Sequence, residues 1–238
     1  MNRIIRKFYS YILLNVIGKK NISEIVDMYE VSSSIRILEN DFGHILSIQK
    51  QLPVNNNNEP LPWFTYPAIE YVSQFNLSEK IIFEWGSGNS SSFFARRAKK
   101  IYSVEDNRDW FEKNSKQKKT NQEIYFAEDS EYINSISKLG IKFDIIIIDG
   151  KYRYECGKVA PGYLNMGGCI ILDNSDWYKN TAKHLRDRGL IQVDFHGFGP
   201  VNQYNWTTSI FFQKDFNFKT FYDEQPSSPI GCLEKKCD

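Results

Sequence analysis

The run FDIIIID, Phe143 to Asp149, constrains the fold of this chain more than any other stretch. Four consecutive isoleucines present branched apolar side chains to both faces of an extended segment, so such a strand has to be covered on both sides. That places it in the middle of a parallel sheet. Shorter apolar runs recur at Ile81 to Glu84, Ile101 to Val104, Glu123 to Phe126 and Cys169 to Leu172, separated by helix-length segments. Strands alternating with helices predict a doubly wound α/β sheet with helices on both faces. Two later runs, Ile191 to Phe195 and Thr207 to Phe212, are joined by the non-helical HGFGPVNQYNW and predict an antiparallel finish to the sheet.

The segments before this pattern read differently. Ser23 to Gln51 carries apolar residues at mixed helical spacing, and PVNNNNEPLP then interrupts regular structure with prolines and asparagines. We expect a boundary there: residues 1–60 as an N-terminal helical extension and linker, 61–215 as the main domain, 216–238 as a tail. In WFTYPAIEYVSQFN, Pro67 near a first turn and Ile69, Val72 and Phe75 on related faces predict a short helix. Met1 to Lys20 has basic flanks around an apolar middle, but its uncharged stretch, Phe8 to Gly18, is too short to span a bilayer. It reads as a helix packed on the domain or on a second subunit, with peripheral membrane contact as the alternative.

Charge and cysteine content narrow the function classes. Thirty lysines and arginines balance 29 acids for a net charge of +1, which supplies no electrostatic argument for a nucleic-acid partner. Cys156, Cys169, Cys232 and Cys237 form neither a C-x-x-C pair nor a dense framework, so a reducing, cytoplasmic setting is expected.

The chemistry concentrates where strands end. IIFEWGSGNSSSFFA puts Glu84, Gly86 and Gly88 at the turn after the first strand, where a glycine turn lets a ligand approach the backbone closely. A dinucleotide pyrophosphate is disfavoured beside a carboxylate, and Ser91 stands where the third glycine of G-x-G-x-x-G belongs. A ligand with a positive centre suits Glu84 better, and S-adenosylmethionine carries an ammonium and a sulfonium. Glu105, near the end of IYSVED, stands where a carboxylate can accept ribose hydroxyls, and Asp129 in FAEDSEYI offers an acceptor for an adenine amino group. A solvated loop acid or a helix N-cap is the plainer alternative for Asp129 and Ser130.

Taken in order, FEWGSGNSS, YSVED, AEDS, FDIIIIDG and LNMGGCIILDNSD resemble class I S-adenosylmethionine-dependent methyltransferases over roughly Trp63 to Gln213. The resemblance implies a Rossmann-like seven-stranded sheet with an antiparallel last strand. It also implies that Glu84, Gly86 and Gly88 line the methionine end of the cofactor, that Glu105 holds the ribose, and that Asp129 and Ser130 lie by the adenine. A weaker similarity, through PWFTYPAIEY and ILDNSD, is to tailoring enzymes of surface glycans or small metabolites. The expected activity is O-methylation of a small-molecule or glycan-like acceptor. Alternatives are a nicotinamide-dependent oxidoreductase on a related fold and a non-catalytic cofactor-binding subunit.

Methyl transfer from a sulfonium needs positioning and acceptor deprotonation more than elaborate machinery. Asp149 ends the fourth strand and Asp173 with Asn174 ends the fifth, which resembles the magnesium triad of catechol-type O-methyltransferases; oxygen ligands of this kind suit that ion. Those enzymes place a lysine three residues after the first aspartate, whereas here Tyr152 stands between Lys151 and Arg153. Helix capping or cofactor contact by Asp149, with a turn at Asp173 and Asn174, is the competing reading. Asp149 and His196 are the candidate bases, His196 because it follows the sixth strand. Trp63, Phe64 and Tyr66 either cover a ligand or pack the linker on the sheet, and Arg153 either recognises an anionic substrate or pairs with Glu155 or Asp149.

Overall fold

The structure, a computed structural model, describes residues 31–223 and 225–233. The expected helix at Met1 to Lys20 lies outside them. Residues 31–36 are helical and run into a π-helical turn, Ile37–Asp41, followed by α1 (His44–Lys50). Gly43 takes φ 72° between the two, and a Cβ there would stand 2.3 Å from the Asn56 backbone nitrogen, so the asparagine run packs directly on this turn. Ser47 Oγ fastens the same loop by donating to the Val54 carbonyl at 2.6 Å. The short helix read from the sequence is α2 (Tyr66–Ser73), with Pro67 in its first turn, where a missing N–H costs no helical bond.

Seven strands follow: β1 (Ile81–Trp85), β2 (Lys100–Glu105), β3 (Gln122–Phe126), β4 (Phe143–Ile148), β5 (Leu164–Leu172), β6 (Ile191–Gly197) and β7 (Trp206–Phe212). Between them run α3 (Asn89–Ala95), α4 (Arg108–Gln117), α5 (Asp129–Asn134), α6 (Arg153–Val159) and α7 (Lys179–Asp187). The sheet order is β3-β2-β1-β4-β5-β7-β6, and β7 alone runs antiparallel to its two neighbours. The antiparallel finish is as the sequence reading expected.

Strand β4 lies at the centre and shows why its sequence is unbroken. Ile145 and Ile147 enter a core layer with Phe93 and Phe94 of α3 and Ile69 and Val72 of α2. Ile146 and Ile148 enter the opposite layer with Tyr132 of α5, Cys156 of α6 and Leu185 of α7. All four isoleucines are at most 2% exposed. Burying such a side chain contributes roughly 1.5–3 kcal/mol, so the pattern is also a large share of what holds the fold.

Strand β5 starts earlier than its apolar run suggested. Its first residues, LNMGG, carry a register shift against β4, and a Cβ on Gly168 would lie 2.7 Å from the Asp144 carbonyl oxygen. The glycine permits a close backbone approach that apolar periodicity does not reveal. Because β1, β2, β4 and β5 are parallel, their carboxyl ends open on one edge, where the functional side chains gather. No helix among the described residues is long and apolar enough to cross a membrane.

Candidate active site

A cavity of about 440 Å³ opens at that edge, within the roughly 300–1,000 Å³ typical of small-molecule sites. Glu84, Gly86, Gly88 and Glu105 line it, as do Asp149, Asp173 and Asn174. Gly86 (φ 112°) makes the turn off β1 possible, and its N–H donates to the Val104 carbonyl at 2.8 Å. The turn after β4 docks on it, with Asp149 N–H donating to the Trp85 carbonyl at 3.1 Å. Gly88 faces the Trp110 indole, which a Cβ would meet at 3.5 Å.

Glu84 is 1% exposed and accepts hydrogen bonds from the hydroxyls of Ser90, Ser91 and Ser103, the last at 2.9 Å. Burial pushes its pKa up to about 7, against the pull of those hydroxyls. The carboxylate organises the glycine turn and the start of α3. These serine partners are the residues that sequence reasoning missed, although NSSS directly after the glycines and the alternation of Ser103 within β2 were the available signals.

Glu105 is the second hinge of the cavity. One carboxylate oxygen accepts from the backbone N–H groups of Asp106 (3.2 Å) and Asn107 (3.0 Å), and the other from Ser87 Oγ at 2.9 Å. Burial raises its pKa and these bonds oppose the rise. Each oxygen of a carboxylate has two acceptor positions, so Glu105 retains capacity for a ligand hydroxyl. Trp110 Nε1 donates to the Ser87 carbonyl, tying α4 to the same turn.

The opposite wall is organised by Arg153. Its Nε donates to the Gly150 carbonyl (3.0 Å), one terminal nitrogen to the Asp173 carbonyl and to Asn174 Oδ1 (2.9 Å), and the other to the Asp149 carbonyl (3.2 Å) and Asp149 Oδ1 (3.0 Å). All five guanidinium donors are thus directed at protein oxygens. The Asp173 carboxylate turns away, its Oδ1 accepting from Trp206 Nε1 (3.0 Å) and Thr208 Oγ1 (2.5 Å). Burial, reinforced by the neighbouring charge of Asp149, holds Asp173 well above the usual carboxylate range. Burial also raises Asp149, to about 6, while Arg153 opposes the rise.

The three residues expected to hold magnesium therefore stand together but do not fit it. A guanidinium ties Asp149 to Asn174, and the remaining carboxylate is committed to the core side. No cluster of three or more histidine, cysteine or acidic side chains among the described residues is placed to hold a metal ion. Of the two readings of Arg153, pairing with Asp149 is the one observed.

Other candidates are dispersed. His196 lies within β6 rather than beyond it; it bonds Thr207 Oγ1 at 2.7 Å and lines a separate shallow depression with Asp176 and Asp194. Asp129 takes φ 49° at the start of α5 and accepts from Tyr152 Oη at 2.7 Å, and Ser130 follows it on the exposed surface. Neither lines the cavity. Phe64 and Tyr66 are buried in the fold, whereas Trp63 stands at the cavity mouth, 40% exposed. Gln51, Leu52 and Pro53 form part of the wall, and Asn89 Nδ2 grips the Pro53 carbonyl at 2.6 Å.

Sheet order, the reversed β7 and the glycine turn after β1 together define a class I methyltransferase fold. Among solved structures, a proposed caffeoyl-CoA O-methyltransferase from Staphylococcus aureus superimposes with a TM-score of 0.51 at 16% identity, covering 82% of this chain and 100% of that one. A precorrin-6y C5,15-methyltransferase from Geobacter metallireducens gives a TM-score of 0.49 at 15% identity, covering 70% of this chain and 97% of that one. No protein-family model and no curated protein matches the sequence.

Proposed function

We propose that this protein is an S-adenosylmethionine-dependent methyltransferase acting on an oxygen of a small or glycan-like acceptor. The observation that carries the reading is the convergence of Glu84, Gly86, Gly88 and Glu105 on one cavity whose far wall holds Asp149. The glycines leave the backbone open to a ligand, Glu105 has an acceptor position left for a ribose hydroxyl, and Glu84 gives the turn a partly negative lining. S-adenosylmethionine, when bound, supplies an electrophilic methyl group on its sulfonium.

The chain's part is to orient the acceptor and to remove its proton. Asp149, with a pKa raised to about 6, is ionised near neutrality yet basic enough to act, the regime a general base needs. Arg153 fixes Asp149 Oδ1 at 3.0 Å and so sets the direction of the carboxylate. With the methyl donor bound, Asp149 would accept the acceptor hydroxyl's proton as the C–S bond of the sulfonium gives way to the new C–O bond, leaving S-adenosylhomocysteine, and would pass that proton to solvent. The charge on the guanidinium helps keep that carboxylate ionised between turnovers, and no step runs through a metal.

Calorimetry with S-adenosylhomocysteine tests the reading. Glu105→Ala should weaken binding by about 1.5–3 kcal/mol, roughly 10- to 150-fold, because a charged acceptor of the ribose is lost. Tighter binding of NAD than of S-adenosylhomocysteine would overturn it.

A further inference from the structure

The outer half of the cavity differs in character from the cofactor end. Trp177, on the loop after β5, and Tyr204, on the loop between β6 and β7, stand 6.4 Å apart with ring planes inclined by 32°. They are 60% and 49% exposed, and Trp63 borders the same mouth from the opposite side of the chain's order. Tyr204 leans edge-on against Trp206 at 6.0 Å, and the Trp206 indole N–H is held by the Asp173 carboxylate. The aromatic platform is therefore braced on a residue buried at the end of β5. Large aromatic faces clustered around a cleft, one side left to solvent, mark a binding surface rather than incidental exposure.

Charge decides what kind of ligand fits there. Two carboxylates, those of Glu105 and Asp149, bring negative charge to the cavity, whereas those of Glu84 and Asp173 are buried against hydroxyl and indole donors and favour the protonated form. The cationic lining residue is Arg153, and its five donors are all engaged by protein oxygens. A phosphorylated or carboxylated acceptor would meet negative charge with no free cation to answer it, a cost that selects against such ligands. Neutral amides, those of Asn174 and Asn202, line the same cavity as the platform.

A flat apolar ring gains most from a closed slot, but Trp177 and Tyr204 are about half in water. A pyranose matches them better, since it has an apolar C–H face to lay on an indole and hydroxyls that remain hydrated. Building on the methyltransferase reading, we propose that the mouth binds the acceptor as an uncharged sugar ring stacked on Trp177 and Tyr204, with a ring hydroxyl presented to Asp149.

The test uses the full chain saturated with S-adenosylhomocysteine and saturation-transfer NMR against methyl glycosides of glucose, galactose, mannose, rhamnose and N-acetylglucosamine, with glucose 6-phosphate, glucosamine and catechol alongside. At least one uncharged glycoside should receive saturation at its ring C–H protons. Trp177→Ala should weaken that binding at least tenfold while S-adenosylhomocysteine affinity stays within twofold, and Tyr204→Leu should do the same should the first variant fold poorly. Binding of no uncharged glycoside, preference for catechol, glucosamine or the phosphate ester, or indifference to both substitutions overturns the proposal. Failure of S-adenosylhomocysteine itself to bind overturns the methyltransferase reading instead.

Discussion

Replacing Arg153 with alanine tests the wall of the cavity most directly. The guanidinium is 11% exposed and its partner Asp149 18% exposed, so the pair is largely withdrawn from water and screening is weak. Arg153→Ala leaves the Asp149 carboxylate beside Asp173 without its counter-charge and frees three backbone carbonyls that the guanidinium had satisfied. Removing one member of a buried pair costs about 3–5 kcal/mol. At roughly 2–4 °C per kcal/mol for a domain of this size, the melting temperature should fall by about 6–20 °C. The loss should depend on pH in a fixed direction. Asp149 titrates near 6 with Arg153 present and higher without it, so the contribution of the pair is present above about pH 6 and fades as the carboxylate takes a proton at lower pH. Calorimetric melts at pH 5 and pH 8 read this out, with the larger penalty at pH 8. Adding Asp149→Asn to the variant should recover much of the loss at pH 8, because no unpaired charge remains, although the base would be gone. Wild-type turnover should persist in excess chelator. A fall of less than about 2 °C at both pH values would show that the pair behaves as an ordinary surface contact and would refute the argument.

Three further outcomes are expected. Glu84 prefers its proton in the folded state, with a pKa of about 7 against an ordinary 4.5, so its favourable contribution is complete below about pH 4.5 and is lost as pH rises through 7. Relative to wild type, Glu84→Gln should therefore gain stability between pH 5 and pH 8, by on the order of 3 kcal/mol at most; a difference that stays flat across denaturation curves in that range would contradict this. Gly150→Ala puts a Cβ 1.9 Å from Tyr132 Oη and should cost about 1–3 kcal/mol in urea unfolding, with Tyr132→Phe relieving part of it; equal destabilisation in both backgrounds would show that the clash lies elsewhere. His196→Ala should leave S-adenosylhomocysteine affinity and turnover near wild type, and a hundredfold loss of turnover at full affinity would return that histidine to the mechanism.

The strands were legible because each is a local pattern with a physical cause. FDIIIID and its neighbours are the signature of residues buried on two faces, and the glycines after β1 mark a turn that the positive φ of Gly86 makes possible. The positions of Glu84 and Glu105 follow from strand ends alone, as does the proximity of Asp149 to Asp173 and Asn174. What those carboxylates touch was not legible. Arg153 reaches back from α6 across two strand ends, and its pairing depends on the lateral spacing of β4 and β5, which no sequence interval encodes. The three serines around Glu84 come from two separate elements. Trp177 and Tyr204 sit on irregular loops whose composition carries no period, and His196 was displaced because β6 extends two residues beyond its apolar run.

The grip of Asn89 on the Pro53 carbonyl has a practical bearing on how this chain can be divided. A cut at the asparagine run looks attractive, since everything after it contains the whole sheet. Yet Gln51, Leu52 and Pro53 form one side of the cavity, and Gly43, Ser47 and Val54 hold that side in place. A fragment beginning at residue 61 would keep its strands and expose the flank of α3. In grafting or recombination with another protein of this fold, the portable unit therefore begins upstream of Gly43, and the segment before the sheet travels with the pocket it encloses.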